Sequence, residues 1–158
     1  MSDARFEDGD ERPLRLLAQD SEDLKVISTL VQDAVLTGAD IAWSARQRRL
    51  GLLLNRFRWE DRDAAGGIGR PPERVRSLLE IGDALRVRTQ DLPRGDGDTV
   101  LSLLALSFEA GPDGTGQVML AFAGDAMLAV EVECLDIRLT DVTRPYLAPS
   151  RTVPQHRD

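Results

Sequence analysis

Six arginines, Arg46, Arg48, Arg49, Arg56, Arg58 and Arg62, flank Trp43 and Trp59 in one short stretch of the chain. Arginine beside an aromatic ring can hold an anionic ligand or single-stranded nucleic acid through charge and stacking. Within this stretch Asn55, Arg56, Arg58 and Trp59 are the candidate ligand-binding residues, a set suited to an anionic metabolite. Glu60, Asp61 and Asp63 stand in the same place. They favour the competing use of these arginines, in cross-strand ion pairs on a solvated face. Asn55 also has two readings. An inward-facing amide must have its polar atoms satisfied, so it either fixes a neighbouring strand or marks a small pocket.

The other reactive residue types are sparse. The single cysteine, Cys134, and the single histidine, His156, are far apart in the sequence. This leaves no base for a Ser or Cys nucleophile of the usual kind, and no cysteine–histidine set for zinc. Cys134 sits in an apolar run, where a thiol commonly serves as a small hydrophobe. Gly66-Gly-Ile-Gly69 resembles a phosphate cradle in composition alone, because no Lys-Ser/Thr follows and Pro71-Pro72 stands where a helix would begin. Asp91, Asp96, Asp98, Asp113 and Asp125 read as turn residues; Asp96-Gly-Asp98 lacks the register and terminal Glu of a calcium loop. Glu131 and Glu133 share one strand face without an opposing acid or nucleophile. No catalytic residue, metal or cofactor is therefore expected, and the sequence leans away from an enzyme.

The composition agrees. The chain has 158 residues and a net charge of −7, from 27 acids and 20 bases, which disfavours general nucleic-acid binding. This length suits one domain with a sizeable core. The N-terminus, Met1-Ser-Asp-Ala-Arg-Phe-Glu-Asp-Gly-Asp-Glu11, lacks a signal peptide's basic start and apolar centre, and no apolar run is long enough to span a bilayer. A cytoplasmic protein with no membrane partner is expected. Residues 1–12 read as a disordered acidic lead, 13–146 as a single domain and 147–158 as a disordered tail.

The candidate residues must be positioned by strands. Leu50 to Trp59 alternates in two rows, and the row of Leu53, Asn55, Phe57 and Trp59 is expected to face the core. Ile41, Trp43 and Ala45 precede it across a hairpin tip at Arg46–Arg49. Val75–Ile81, Leu85–Thr89, Val118–Phe122, Leu128–Val132 and Leu135–Leu139 complete the set of alternating runs; Leu14–Leu17 is a short strand candidate, and Val100–Phe108 is apolar on both faces and so expected at the centre of its sheet. Residues 60–73 read as a mobile surface loop. Parity flips at Cys134–Leu135, which predicts a bulge or break. Asp20-Ser-Glu-Asp23, with Asp20 or Ser21 as cap, opens an amphipathic helix of about four turns that carries Leu24, Ile27, Leu30, Val31, Ala34 and Val35.

Gly82-Asp83 and Gly124-Asp125, each between alternating runs and each followed by Ala and an apolar residue, predict two-residue hairpins. They are either independent turns or traces of a duplicated meander. The fold class is α+β: mainly antiparallel sheet of about eight strands, barrel-like or strongly bent, in the manner of a pleckstrin-homology fold, with one long N-terminal amphipathic helix.

Leu53-Leu-Asn-Arg-Phe-Arg-Trp-Glu60, Arg70-Pro-Pro-Glu-Arg-Val-Arg76, Asp98-Thr-Val-Leu-Ser-Leu-Leu104 and Val132-Glu-Cys-Leu-Asp-Ile-Arg-Leu-Thr-Asp-Val142 together resemble the alphaproteobacterial domain-of-unknown-function 2948 family. The resemblance covers roughly residues 12–146. It implies a short stand-alone cytoplasmic protein and transfers no activity, cofactor or catalytic residue. A non-enzymatic binding or interaction module with a protein or small-ligand partner is the expectation. The alternative is a protein or enzyme that handles an anionic metabolite in a pocket near Asn55, Arg56 and Trp59. Sheet edges allow a homodimer without requiring one.

Overall fold

The described residues form eleven strands of a single sheet in which every pairing is antiparallel, nine of them at the strand runs expected from the sequence. The computed structural model describes residues 13–62, 73–92 and 97–147. In chain order the elements are β1 (Arg15–Ala18), α1 (Ser21–Leu30), β2 (Ala34–Thr37), β3 (Ile41–Ser44), β4 (Arg49–Phe57), α2 (Trp59–Arg62), β5 (Glu73–Ile81), β6 (Ala84–Gln90), β7 (Val100–Ala110), β8 (Gly116–Phe122), β9 (Met127–Val132), β10 (Ile137–Asp141) and β11 (Tyr146–Leu147). The acidic lead, the glycine loop and the tail from residue 148 onward lie outside the described residues. Of the residues 60–73 expected to form a loop, 60–62 belong to α2 and Glu73 to β5, and 63–72 lie outside the described residues.

The sheet order is β1-β10-β5-β4-β2-β7-β8-β9-β6, with β3 beside β4 and β11 beside β5. Because β1 and β6 are the two ends of this path, the sheet is not closed, and the barrel expectation is corrected to an open, curled sheet. The curl follows from connectivity. β5 and β6 stand far apart in the order, yet only Gly82 and Asp83 separate them in the chain. The predicted hairpin at Gly82-Asp83 is therefore a corner: β5 continues into β6 while β10 and β9, its neighbours, bend alongside between Val132 and Ile137. The parity flip at Cys134–Leu135 marks this second bend. Gly124-Asp125, in contrast, turns a true hairpin between paired strands β8 and β9, and both residues take positive φ, 84° and 68°.

The helix is the larger correction. Asp20 caps it by accepting from the Asp23 N–H at 2.8 Å, but α1 ends at Leu30 after ten residues instead of four turns. Asp33 turns to φ 66° and sends its N–H to the Leu103 carbonyl at 2.8 Å. The chain then enters β2, where Ala34 and Leu36 are buried and Val35 and Thr37 half-buried. Leu30, Val31, Ala34 and Val35 fit a helical stripe by spacing, and Ala34 with Leu36 fits a strand equally well. Pairing with β7, from Ala34↔Leu103 to Thr37↔Val100, decides between them. α1 lies against β7 and β1, and its Leu24 and Ile27 join the single apolar core that both ends of the sheet supply. Ser28 Oγ accepts the Leu106 N–H at 2.9 Å, just beyond the β7 irregularity at Leu103/Ala105.

Candidate functional site

β4 positions the candidate residues, and its two rows face opposite to the sequence expectation. Leu50, Leu52, Leu54 and Arg56 point inward and are fully buried, while Gly51, Leu53 and Asn55 are half-buried on the outer face; of the row expected inside, Phe57 alone is buried, at the end of the strand. Asn55 therefore does not face the core. Three aliphatic side chains at alternate positions outweigh the aromatic ones in deciding which face goes in, since the core itself is built almost wholly of Leu, Ile, Val and Ala. Trp59 leaves the strand altogether and begins α2.

Arg56 ends the inner row as a buried charge with every donor occupied. Its Nε donates to Ser77 Oγ at 2.9 Å. One terminal nitrogen donates to the Phe57 carbonyl at 3.2 Å and Glu60 Oε1 at 2.9 Å. The other donates to Glu60 Oε2 at 2.9 Å and to Asp141 at 3.0 and 3.2 Å. Ser77 Oγ donates to Asp141 Oδ1 at 2.6 Å, and Asp141 Oδ2 takes the Leu14 N–H at 2.9 Å. Burial works against the guanidinium charge, but hydrogen bonding to Glu60 and the charges of Glu60 and Asp141 outweigh it, so the Arg56 pKa is raised. A guanidinium with five N–H groups so used has none left for a ligand. It joins β1, β4, β5, β10 and α2. The missed members, Ser77 and Asp141, carry a faint sequence signal: each continues an apolar inner row, after Val75 and after Ile137 and Leu139.

The outer face of β4–β5 is different. Asn55 lies between Val35 of β2 and Arg76 of β5, and Phe57 opposite Arg74. The Arg74 guanidinium sits 4.3 Å above the Phe57 ring, and Trp59 tilts against the same ring at 5.6 Å and 47°. Trp59 Nε1 donates to the Gln32 carbonyl at 3.0 Å, which fixes the indole at the border of the patch. Arg58 is nearby and tied to Glu73 at 2.6 Å. Two atoms in this patch are buried without a hydrogen-bond partner: Asn55 Oδ1, an acceptor, and Arg74 Nε, a donor. The fold thus brings Asn55 and Trp59 together, buries Arg56 away from them and occupies Arg58. Arg74 and Phe57 are the residues that sequence reasoning did not single out.

A model of the family described as Protein of unknown function (DUF2948) matches residues 14–156. The chain belongs to that family. No curated protein and no solved structure matches it. The DUF2948 match begins at Leu14, whose N–H closes the Arg56 network on Asp141, and spans all eleven strands.

The remaining candidates in this DUF2948 chain are turn and surface features. Asp91, Asp113 and Asp125 hold left-handed turn positions with φ of 56°, 55° and 68°. Glu131 pairs with Arg86 at 3.5 Å, and Glu133 pairs with Arg48. Gly66–Gly69 and Asp96 fall outside the described residues. Among the described residues no three of His, Cys, Asp and Glu cluster to hold a metal, and no helix is long and apolar enough to cross a membrane.

Cys134 is exposed, not buried as its apolar run suggested, because it lies at the bend between β9 and β10. Its Sγ is hydrogen-bonded to Asp83 Oδ2 at 3.1 Å. That bond, then desolvation and the charges of Asp83, Asp136 and Glu133, push the thiol pKa up. The protonated form is favoured, so alkylation by iodoacetamide at neutral pH is expected to run slower than for an unstructured cysteine peptide and to rise with pH later than it does for the peptide. Asp83→Asn is expected to speed it. Equal rates for protein, variant and peptide would contradict this.

Proposed function

We propose that this DUF2948 protein is a non-enzymatic binding module and that its binding face is the outer surface of β4–β5 around Asn55, Trp59, Arg74 and Arg76. The observation that carries the reading is the pair of buried, unpartnered atoms, Asn55 Oδ1 and Arg74 Nε, on one face of adjacent strands. A buried polar group left without a partner costs about 1–3 kcal/mol. A fold that keeps two such groups side by side gains nothing from them on its own. A ligand that parts the side chains covering these two atoms and offers an N–H to Asn55 and an acceptor to Arg74 recovers both penalties. Trp59, half-buried and packed against the buried Phe57, gives it an apolar surface on which to rest.

A second reading, a small anionic metabolite on the same face, is favoured by the neighbouring cations Arg74 and Arg76, the latter exposed at its side chain. Native mass spectrometry of the protein taken directly from lysate, beside the Asn55→Val variant, tests both. The expected result is added mass on the wild type that is absent from the variant, with its size distinguishing a metabolite from a protein partner. Added mass of equal amount on both chains, or on neither, would contradict the proposal.

A further inference from the structure

We infer that β6 is a docking edge for an extended segment of a partner protein that carries carboxylates at alternate positions. β6 is the last strand in the sheet order and pairs only with β9. Its backbone on the other side has no strand beside it among the described residues. The surface beyond Ala84 is open: Leu85, Arg86, Arg88 and Gln90 are exposed, Ala84 and Val87 turn in to meet the core, and the Ala84 N–H is held by the Arg48 carbonyl at 2.9 Å. An exposed edge of this length is a template for strand addition.

Charge selects the occupant. Arg86, Arg88 and Gln90 alternate with the inward Val87, so both arginines lie on the outer face of the edge strand. Arg86 stands opposite Glu131, but at 3.5 Å with most of its side chain in solvent the pair is weak. Arg88 stands opposite Ala129 and has no carboxylate across the ladder. A second copy of this chain is a poor fit. Centring two antiparallel β6 strands on Val87 sets Arg86 against Arg88 twice, and centring them on Arg88 sets that residue against itself. A strand with acidic residues opposite these positions fits. The irregularity between Ala84 and Arg86 leaves Leu85 as the extra residue, 48 % exposed, beside an open groove lined by Gly111, Thr115 and Gly116 and by the carboxylates of Glu109 and Glu131, so the occupant's end there is apolar and uncharged. Such a bulge re-aims a side chain, and here it offers an apolar anchor at one end of the edge.

The test uses a dye-labelled, end-blocked peptide of alternating Thr and Glu with a terminal Leu, followed by fluorescence anisotropy and by amide exchange of the full chain. The Glu peptide is expected to bind and to protect amides within 85–88. Its Lys counterpart is expected not to bind. An N-methylated Glu peptide, which keeps the charge and loses the backbone donors, is expected to bind much more weakly. Arg88→Glu is expected to weaken the Glu peptide by about tenfold or more and to admit the Lys peptide, with amide exchange elsewhere unchanged to show that the variant is folded. No binding of the Glu peptide at millimolar concentration would overturn the inference. So would equal binding of the N-methylated peptide, or self-association of the wild-type chain that protects the same amides.

Discussion

Arg56→Met is expected to destabilise the protein by about 3–5 kcal/mol, the cost of removing one partner from a buried ion network. The substitution keeps the aliphatic volume and takes away all the hydrogen bonds that Arg56 gives to Ser77, Phe57, Glu60 and Asp141. Asp141, only 5 % exposed at its side chain, would keep its negative charge with Ser77 and the Leu14 N–H as its remaining partners. Urea unfolding measures the loss. Arg49→Met is the comparison, because Arg49 reaches Glu80 at 3.6 Å from a side chain that is 55 % exposed. Its cost is expected to be about 0–1 kcal/mol. Equal midpoints for the two variants would show that the Arg56 network does not hold the strands together.

Leu52→Ala and Leu54→Ala are each expected to cost about 2–5 kcal/mol, while Leu53→Ala, one residue away from both, costs well under half of that. Leu52 and Leu54 have no exposed surface and sit among Leu79, Ile81 and Leu139 in the core. Leu53 points outward beside Leu78 and is half-buried. Truncation leaves a cavity at the first two positions and an open dimple at the third. The three midpoints, measured together, read the orientation of β4 directly. A cost at Leu53 equal to that at Leu52 would invert the strand.

That orientation is where sequence reasoning went astray, and the reason is physical. Period-two alternation identifies β4 as a strand but does not say which row goes in when both rows carry apolar residues. Leu53, Phe57 and Trp59 look heavier than Leu52 and Leu54, yet the inner row continues through Leu50, and its last member, Arg56, is satisfied by Glu60, Ser77 and Asp141, which lie 4, 21 and 85 residues away. No local pattern announces such partners. β2 was hidden for a similar reason: its four residues extend a helical spacing, and only pairing with β7 makes them a strand. Features set by adjacent residues were legible. The Asp20 cap, the β3–β4 and β8–β9 hairpins, the central β7 and the break at Cys134–Leu135 all stand where local chemistry placed them. Of the candidate site, Asn55 and Trp59 could be picked out, whereas Arg74 becomes visible only once β5 lies beside β4 and sets its guanidinium over Phe57.

The central claim is that the polar groups on the outer β4–β5 face are kept for a partner and not for the fold. Urea unfolding of purified Asn55→Val beside the wild type tests it most directly. Valine suits a half-buried strand position and removes a buried acceptor that nothing satisfies. The predicted result is a midpoint equal to or above that of the wild type with an unchanged slope. A clear fall in the midpoint would show that Asn55 serves the fold itself and would contradict the claim.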